Sequence, residues 1–441
     1  MIILSYMKVN GVSSAILTAV RDGVLGQLTA VAKRPFDGAN IQTVEKNFFE
    51  TLGKSGATGL IELFACNDEP AKAITYDGEK HYRKFLAMGR YLTLLGDISL
   101  KRGIYQSNKE KHSICPLEQK LRFINDYVSF AAAEYICYSI ASMTLMELVR
   151  HCEKWTLMKP SEGTVKRVLD YVGQFLEASD FLDRVRSKQT VSEEAVTLAM
   201  SMDSTSILIK REGWRHAIAA TVSTYDAQGD RLDTVYIGRM PEKGKNQAKY
   251  LLEKEVEAIM AKHKFKHILC IADGARELWQ YFRRKYPNAT HVVDFFHVCE
   301  HLSKLSQLFF QNPSEAKVWY KKYRTLLKED PYGASKLIRA ARYRRSLTKK
   351  NPEVEAEIKY LQHNRKRMNY FQLRQNNLPI GSGVVEAACK NLIGARMKKS
   401  GMRWTLDGGQ TVLTLRSLIL SNRWEGFWTY FISRHFPEIQ T

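Results

Sequence analysis

The chain has 441 residues, 44% hydrophobic and 26% charged, which is folded-protein usage and excludes a disordered, collagenous or coiled-coil chain. At about 150 residues per domain, that length predicts roughly two to four domains. The net charge is +21 and uneven: residues 301–441 hold 26 basic and 10 acidic residues, whereas residues 1–300 hold 41 and 36. A positive field concentrated in one segment predicts a polyanionic partner, nucleic acid first, against the blander reading of a solvated basic face. Seven cysteines without a CxxC pair argue against a disulfide framework or zinc ribbon and predict a reducing, cytoplasmic setting. No uncharged apolar run reaches the roughly 18 residues of a membrane helix. The nearest stretch, Ser129–Met146, carries Glu134. The apolar opening Met1–Val9 lacks a basic flank and a cleavage site, so no signal peptide is expected.

In chain order, Asn40–Phe64 shows helical spacing through Val44, Phe48, Leu52, Leu60 and Leu63. Short β-prone pieces follow at Ala73–Tyr76, Tyr91–Leu95 and Ile98–Leu100, broken by the turn signals Asp77-Gly78 and Gly96-Asp97. Helical periodicity returns from Pro116. Thr144 and Glu147 fit a capping box, a helix to about Trp155 follows, and Lys159-Pro160-Ser161 leads into a second helix, Glu162–Leu176. With Lys166 and Arg167 on the second helix, the pair reads as a helix-turn-helix or as plain helical packing.

Residues 195–300 change period. Ala195–Ile209, Trp214–Tyr225 and Thr234–Gly238, parted by Asp226–Asp230, predict a three-stranded meander. A helix over Lys243–His263, a strand His267–Ala272, a helix Ala275–Lys285 and a strand His291–Phe296 complete the order β-β-β-α-β-α-β, the core order of the RNase H-like fold. Residues 297–377 read as basic helices. After Gly381-Ser382-Gly383 come a helix Val384–Lys398, a break at Asp407-Gly408-Gly409 and a last helix Gln410–Leu420. The predicted organisation is therefore α/β. It comprises an N-terminal helical and hairpin-rich module (1–115), a helical possible DNA-binding domain (116–195), an RNase H-like core (196–300), a basic all-helical insertion (301–377) and C-terminal core helices (378–441).

Three acids occupy places where chemistry is plausible. Asp203 interrupts an apolar strand, where an unpaired carboxylate is costly. Asp273 ends a short strand before Gly274, at the strand end where open sheets bind ligands. Glu386 follows Gly381-Ser382-Gly383 among apolar neighbours. Singly, each also reads as a cap or a helix-end charge. As a set, three hard oxygen donors suit Mg²⁺ or Mn²⁺, and a pair of such ions suits phosphodiester chemistry.

The segments DGARELWQYFRRKYPNATHVVDFFHVCEHL (273–302) and PIGSGVVEAACKNLIGARMKKSGMRWTLDGGQTVLTLRSL (379–418), with Met202–Gly244, resemble the acid blocks of bacterial insertion-sequence transposases of the DDE type. They look most like the Kra-type group, related in plan to Mutator-like elements, and the resemblance covers roughly residues 195–430. It implies that Asp203, Asp273 and Glu386 are catalytic and hold two Mg²⁺ (or Mn²⁺) ions. It also implies that Asp294 and His297 shape the active site, with Asp294 as direct ligand in place of Asp273 left open. Ser204 stands where relatives more often have Gly. Relatives often carry paired cysteines in 101–118, where this chain has only Cys115, and His297, Cys299 and His301 alternate where a helix is predicted; no zinc is expected.

Basic and aromatic groups supply expected DNA contacts: Lys166, Arg167, Arg344, Arg345, Arg365, Lys366, Arg367, Arg396, Lys398, Lys399, Arg403 and Trp404, with Lys349, Lys350, Trp319 and Tyr370 nearby. For Trp319 and Trp404, core packing is the competing reading. The implied function is a DNA transposase that binds terminal inverted repeats, cleaves them and joins the 3′ ends to target DNA. It would act as a homodimer or higher oligomer, nucleoid-associated in a bacterial cytoplasm. A metal-dependent nuclease without strand transfer and an inactive DNA-binding regulator are the alternatives.

Overall fold

Strands and helices that each bury an apolar face account for most of the described residues. The computed structural model describes residues 18, 21–26, 28, 29, 33, 41–107, 113–347 and 350–436; Met1–Val9 and Lys349 lie outside them. The chain divides into two units, Met1–Phe175 with Tyr430–Thr441, and Leu176–Thr429.

In the first unit, α1 (Ile41–Cys66) precedes a four-stranded antiparallel sheet of β1 (Ala73–Tyr76), β2 (Glu79–Thr93), β3 (Gly96–Ser107) and β4 (Ser113–Ile114), paired in that order. Asp77 and Gly78 both take positive φ, which suits a tight hairpin between β1 and β2. Strands β2 and β3 are longer than the sequence signals. Residues 79–90 of β2 carry charges and remain mostly exposed, so they give no apolar alternation to read. Tyr91, Ile98, Leu100, Cys115 and Leu117 form a core against Leu60, Ile61 and Phe64 of α1. Three helices follow α2 (Pro116–Leu121): α3 (Phe130–Ile140), α4 (Leu145–Trp155) and α5 (Glu162–Ala178). The expected capping box starts α4, where Thr144 Oγ1 accepts from the Glu147 N–H (3.1 Å) and Glu147 Oε2 from the Thr144 N–H (2.7 Å). Lys166 and Arg167 are exposed on α5.

The second unit opens with α6 (Phe181–Lys188) and then the meander β5 (Thr197–Ile209), β6 (Gly213–Tyr225) and β7 (Arg231–Arg239). After α7 (Asn246–Met260) come β8 (His267–Ala272), α8 (Arg276–Lys285) and β9 (Thr290–Val293). The five strands pair in the order β7-β6-β5-β8-β9. β5, β6 and β7 are antiparallel neighbours, while β8 and β9 run parallel to β5. Helices α9 (Phe295–Phe309), α10 (Pro313–Glu329), α11 (Gly333–Ser346), α12 (Pro352–Asn364) and α13 (Tyr370–Gln375) fill the basic segment. The chain then returns through α14 (Gly383–Ala388), a π turn (Cys389–Gly394), α15 (Ala395–Met397), α16 (Leu406–Leu420) and α17 (Trp424–His435).

Two expectations about this last stretch are corrected. Asp407-Gly408-Gly409 does not break a helix. It forms the first turn of α16, where Thr405 caps the end by accepting from the Gly408 N–H (3.3 Å). Nor is α16 the last helix, because the aromatic-rich α17 follows it. Helix α16 also closes the open edge of β7. Ser417 Oγ, Ser421 Oγ and Gln410 Oε1 accept from the N–H groups of Gly238 (3.1 Å), Tyr236 (2.9 Å) and Met240 (2.9 Å). An edge whose donors are taken in this way cannot pair with another strand.

A buried ion triad ties α6 and α7 to the α16–α17 turn. Glu255, 2% exposed, accepts from Arg186 Nε (2.9 Å) and from Arg423 Nη1 and Nη2 (3.0 and 2.7 Å). Removing the one acid leaves two buried guanidiniums without it, which costs about 3–5 kcal/mol. Glu255→Ala is therefore expected to lose that much in urea-induced unfolding. A loss below about 1 kcal/mol, the value of a surface pair, would contradict the assignment.

Candidate active site

The parallel register decides where the acids stand. Ser201 pairs with Ile271, and Ile271 with Val292. Continued by two residues, the same register sets Asp203, Asp273 and Asp294 level on three neighbouring strands, at the carboxyl ends of β8 and β9. This strand end is where an open sheet with parallel units presents ligand-binding groups.

Asp294 organises the edge. Its side chain is 2% exposed and caps α9, Oδ1 accepting from the Phe296 N–H at 2.7 Å. Oδ2 accepts from the Ser382 hydroxyl. The Phe295 N–H donates to the Ile380 carbonyl (3.0 Å), so the Pro379–Gly383 loop is held on β9 by backbone as well as side chain. Gly381 lies against the Phe296 ring, where an added Cβ would come within 2.9 Å of ring carbons. The loop leads directly into α14, whose Glu386 N–H donates to the Ser382 carbonyl at 3.0 Å.

Glu386 is thus delivered beside Asp294 and Asp203. Burial first, and then the charge of Asp294, push its carboxyl above the ordinary glutamate value, while Lys390 pulls the other way. Glu386 and Asp203 line one cavity of about 420 Å³, with Thr205, Cys389, Lys390, Gly394 and Lys398. The π turn at Cys389–Gly394 inserts an extra residue per turn immediately after Glu386, a feature often found at functional sites. From it Cys389 Sγ donates to Asp203 Oδ2 at 3.5 Å, while Asp203 Oδ1 accepts from the Ser204 N–H at 2.6 Å. Burial and the Asp203 charge raise the Cys389 thiol, so it remains a protonated donor. Lys398 Nζ donates to the Thr205 hydroxyl on the cavity wall.

Asp273 does not line that cavity. Its Oδ1 accepts from the Ala275 N–H (2.8 Å), and its backbone carbonyl from Trp279 Nε1 (2.9 Å). The ring of Tyr360, from α12, lies against Gly274, where an added Cβ would come within 2.2 Å of it. The Tyr360 hydroxyl is buried and has no hydrogen-bond partner among the described residues. Burial, and then the charges of Asp273 and Asp294, push it above the ordinary tyrosine value. His301 stacks on Tyr360 (centroids 3.6 Å apart) and bonds Glu357 through Nδ1 at 2.5 Å. His297 is half-buried, bonded to Glu300 at 3.2 Å, with its ring edge on His301 and Tyr360.

Carboxylates fit a hard divalent cation by type. The structure brings Asp203 and Glu386 together, sets Asp294 against Glu386, and leaves Asp273 level with them but turned to its own loop. Among the described residues, no three histidine, cysteine or carboxylate groups converge closely enough to hold a metal ion.

The expected DNA-contact residues divide. Arg365, Lys366, Lys398, Lys399 and Arg403 are exposed. Arg396 is corrected: it is 3% exposed, with its guanidinium over the Trp404 ring at 4.8 Å. Trp404 itself packs inward, Nε1 donating to the Met397 carbonyl (3.1 Å) and its backbone bridging Leu208 and Lys210. Arg344 lies over the Phe310 ring (4.2 Å), and Arg345 pairs with Glu355. Trp319 packs on Phe309 and Tyr323. Sequence reasoning missed Ser382, Cys389 and Tyr360, whereas Lys390 stands at the i+4 spacing from Glu386 that allows a pair. The Gly-Ser-Gly context gave a signal for the first, while Cys389 and Tyr360 are set by tertiary contacts.

No family model and no curated protein matches the sequence. Among solved structures the chain is similar to a Drosophila P element transposase strand transfer complex, with 10% identity over 69% of this chain and 81% of that chain, at a TM-score of 0.27. No described helix is long and apolar enough to cross a membrane.

Two substitutions test this geometry. Ser382→Ala removes one of the two hydrogen-bond donors to a buried carboxylate and is expected to cost about 1–3 kcal/mol in chemical denaturation. Tyr360→Phe removes a hydroxyl without a partner, so its unfolding midpoint is expected to stay level or rise; a clear fall would show a partner for that hydroxyl.

Proposed function

We propose that the chain is a DNA transposase of the DDE type with an RNase H-like core. The observation that carries this reading is the shared cavity of Asp203 and Glu386, at a sheet edge where Asp273 and Asp294 stand level with Asp203. The strand order, with three antiparallel strands followed by two parallel ones, supports the same reading, as does the excess of basic residues in 301–441.

In this reading Asp203 and Glu386, which share the cavity, would hold Mg²⁺ or Mn²⁺, with Asp273 or Asp294 as the further carboxylate. When bound, two such ions supply charge neutralisation at the scissile phosphate and a lowered pKa for the attacking oxygen. Lys390 and Lys398, at the cavity wall, orient phosphate oxygens. The Cys389 thiol and the Ser204 N–H fix the rotamer of Asp203. Water attacks first and frees a 3′-hydroxyl at the element's end. That hydroxyl then attacks a target phosphate in line, and no side chain becomes covalently attached. The exposed groups Lys166, Arg167, Arg365, Lys366, Lys399 and Arg403 neutralise backbone phosphates of the terminal repeats. Joining two ends requires a dimer or higher oligomer on DNA.

The test is cleavage and joining of labelled DNA carrying the sequences that flank the gene, with a target plasmid and Mg²⁺. Asp203→Asn and Glu386→Gln are expected to lower both steps by about a hundredfold or more, since metal-assisted stabilisation is worth several kcal/mol and 1.4 kcal/mol is tenfold. Both variants should still shift the DNA. Cutting without joining would favour the nuclease reading. Equal inertness of wild type and variants, with DNA binding intact, would favour the regulator.

A further inference from the structure

A second cavity of the same unit, about 790 Å³, opens at the amino-terminal end of β9. Arg283, Arg342, Arg365, Lys366, Arg367 and His291 line it, and no carboxylate does. These groups come from α8, β9, α11 and the short turn after α12. Arg365, Lys366 and Arg367 are adjacent in sequence, but Arg283, His291 and Arg342 join them only through the tertiary fold.

The cations are fixed by neutral partners. Arg367 Nη1 donates to Asn364 Oδ1 (2.8 Å), and its guanidinium lies over the Trp279 ring at 4.5 Å. Arg283 Nε donates to the Trp279 carbonyl at 3.2 Å. Arg342 faces the Gln362 amide oxygen at 2.7 and 2.9 Å, once that amide is oriented to accept. No ion pair with an acid engages Arg283, Arg342, Arg365, Lys366 or Arg367 among the described residues.

The like charges act on one another. Burial, and then Arg283, lower the Arg367 guanidinium, and His291 is lowered by burial with Arg367 and Arg283 pressing the same way. A cluster of this kind is destabilising unless an anion spreads its charge over it, and planar guanidiniums suit phosphate oxygens in pairs. One phosphate would leave most of the space empty, while the volume lies in the range of about 300–1,000 Å³ typical of small-molecule sites.

We propose that this cavity is a polyphosphate site, taking two or more adjacent phosphate groups from a free nucleotide or from a nucleic-acid strand. None of these groups lines the Asp203–Glu386 cavity, so the site does not depend on the cleavage chemistry; Arg365 and Lys366, assigned above to backbone phosphates, make those contacts from this site when the phosphates come from a strand.

The experiment is calorimetric titration of the full chain at about 0.15 M salt, where exposed charges are screened beyond about 8 Å. The probes are inorganic tripolyphosphate, a nucleoside triphosphate and a short single-stranded oligonucleotide. One equivalent of at least one probe should bind. Arg283→Gln and the double variant Arg365→Gln/Lys366→Gln should each weaken it about tenfold or more, the value of a lost charge-assisted hydrogen bond, and Glu386→Gln should leave it unchanged. Binding of tripolyphosphate and nucleotide identifies a free ligand, whereas binding of the oligonucleotide alone identifies a strand backbone. Without ligand, Arg283→Gln should raise or preserve the melting temperature, because it relieves repulsion; a purely structural arginine would lower it. No binding by any probe, or equal binding by both variants, overturns the proposal.

Discussion

One buried carboxylate sets the geometry on which the rest of the site depends. Asp294 is almost wholly withdrawn from water and must find hydrogen-bond donors. It finds one in its own helix, at Phe296, and one in a loop more than eighty residues later, at Ser382. Because the second donor belongs to the loop that starts α14, satisfying Asp294 also fixes where Glu386 emerges. The cost of leaving such a group unpaired, about 1–3 kcal/mol or more for a charge, is what holds a distant segment against the sheet edge.

The same arrangement generates an electrostatic tension. Glu386 is placed beside Asp294 and shares a cavity with Asp203, so like charges accumulate in a chain that is strongly basic as a whole. Lys390 and Lys398 offset part of this locally. A divalent cation between the carboxylates would offset more, and a positive field around the edge would draw a polyanion toward it. In the proposed function, the acidic centre and its basic surroundings would be complementary parts of a site for phosphodiester chemistry.

Much of this was legible in the sequence, and the reasons for success and failure are physical. The meander could be read because β5, β6 and β7 are apolar segments parted by Asp226–Asp230, and β8 because an apolar run ends at Asp273-Gly274. The level placement of Asp203, Asp273 and Asp294 follows from parallel register, which strand order implies but does not state. Tyr360 was invisible because its neighbours in sequence are ordinary helix residues, and only the approach to Gly274 gives it a place at the edge. Arg396 read as a surface cation because its partner, the Trp404 ring, lies eight positions on, across a turn. The charged outer residues of β2 hid most of a strand, and the first-turn glycines of α16 mimicked a break.

In the proposed function a divalent cation binds between Asp203 and Glu386 at this edge. It is tested most directly by replacing Mg²⁺ with Fe²⁺ and mapping where ascorbate-driven oxidation cuts the chain. The expected cuts lie near Asp203, near Asp273 or Asp294, and between Ser382 and Lys390, all suppressed by excess Mg²⁺ and lost in Asp203→Asn. Cuts confined to other segments, or a pattern unchanged by that substitution, would contradict it.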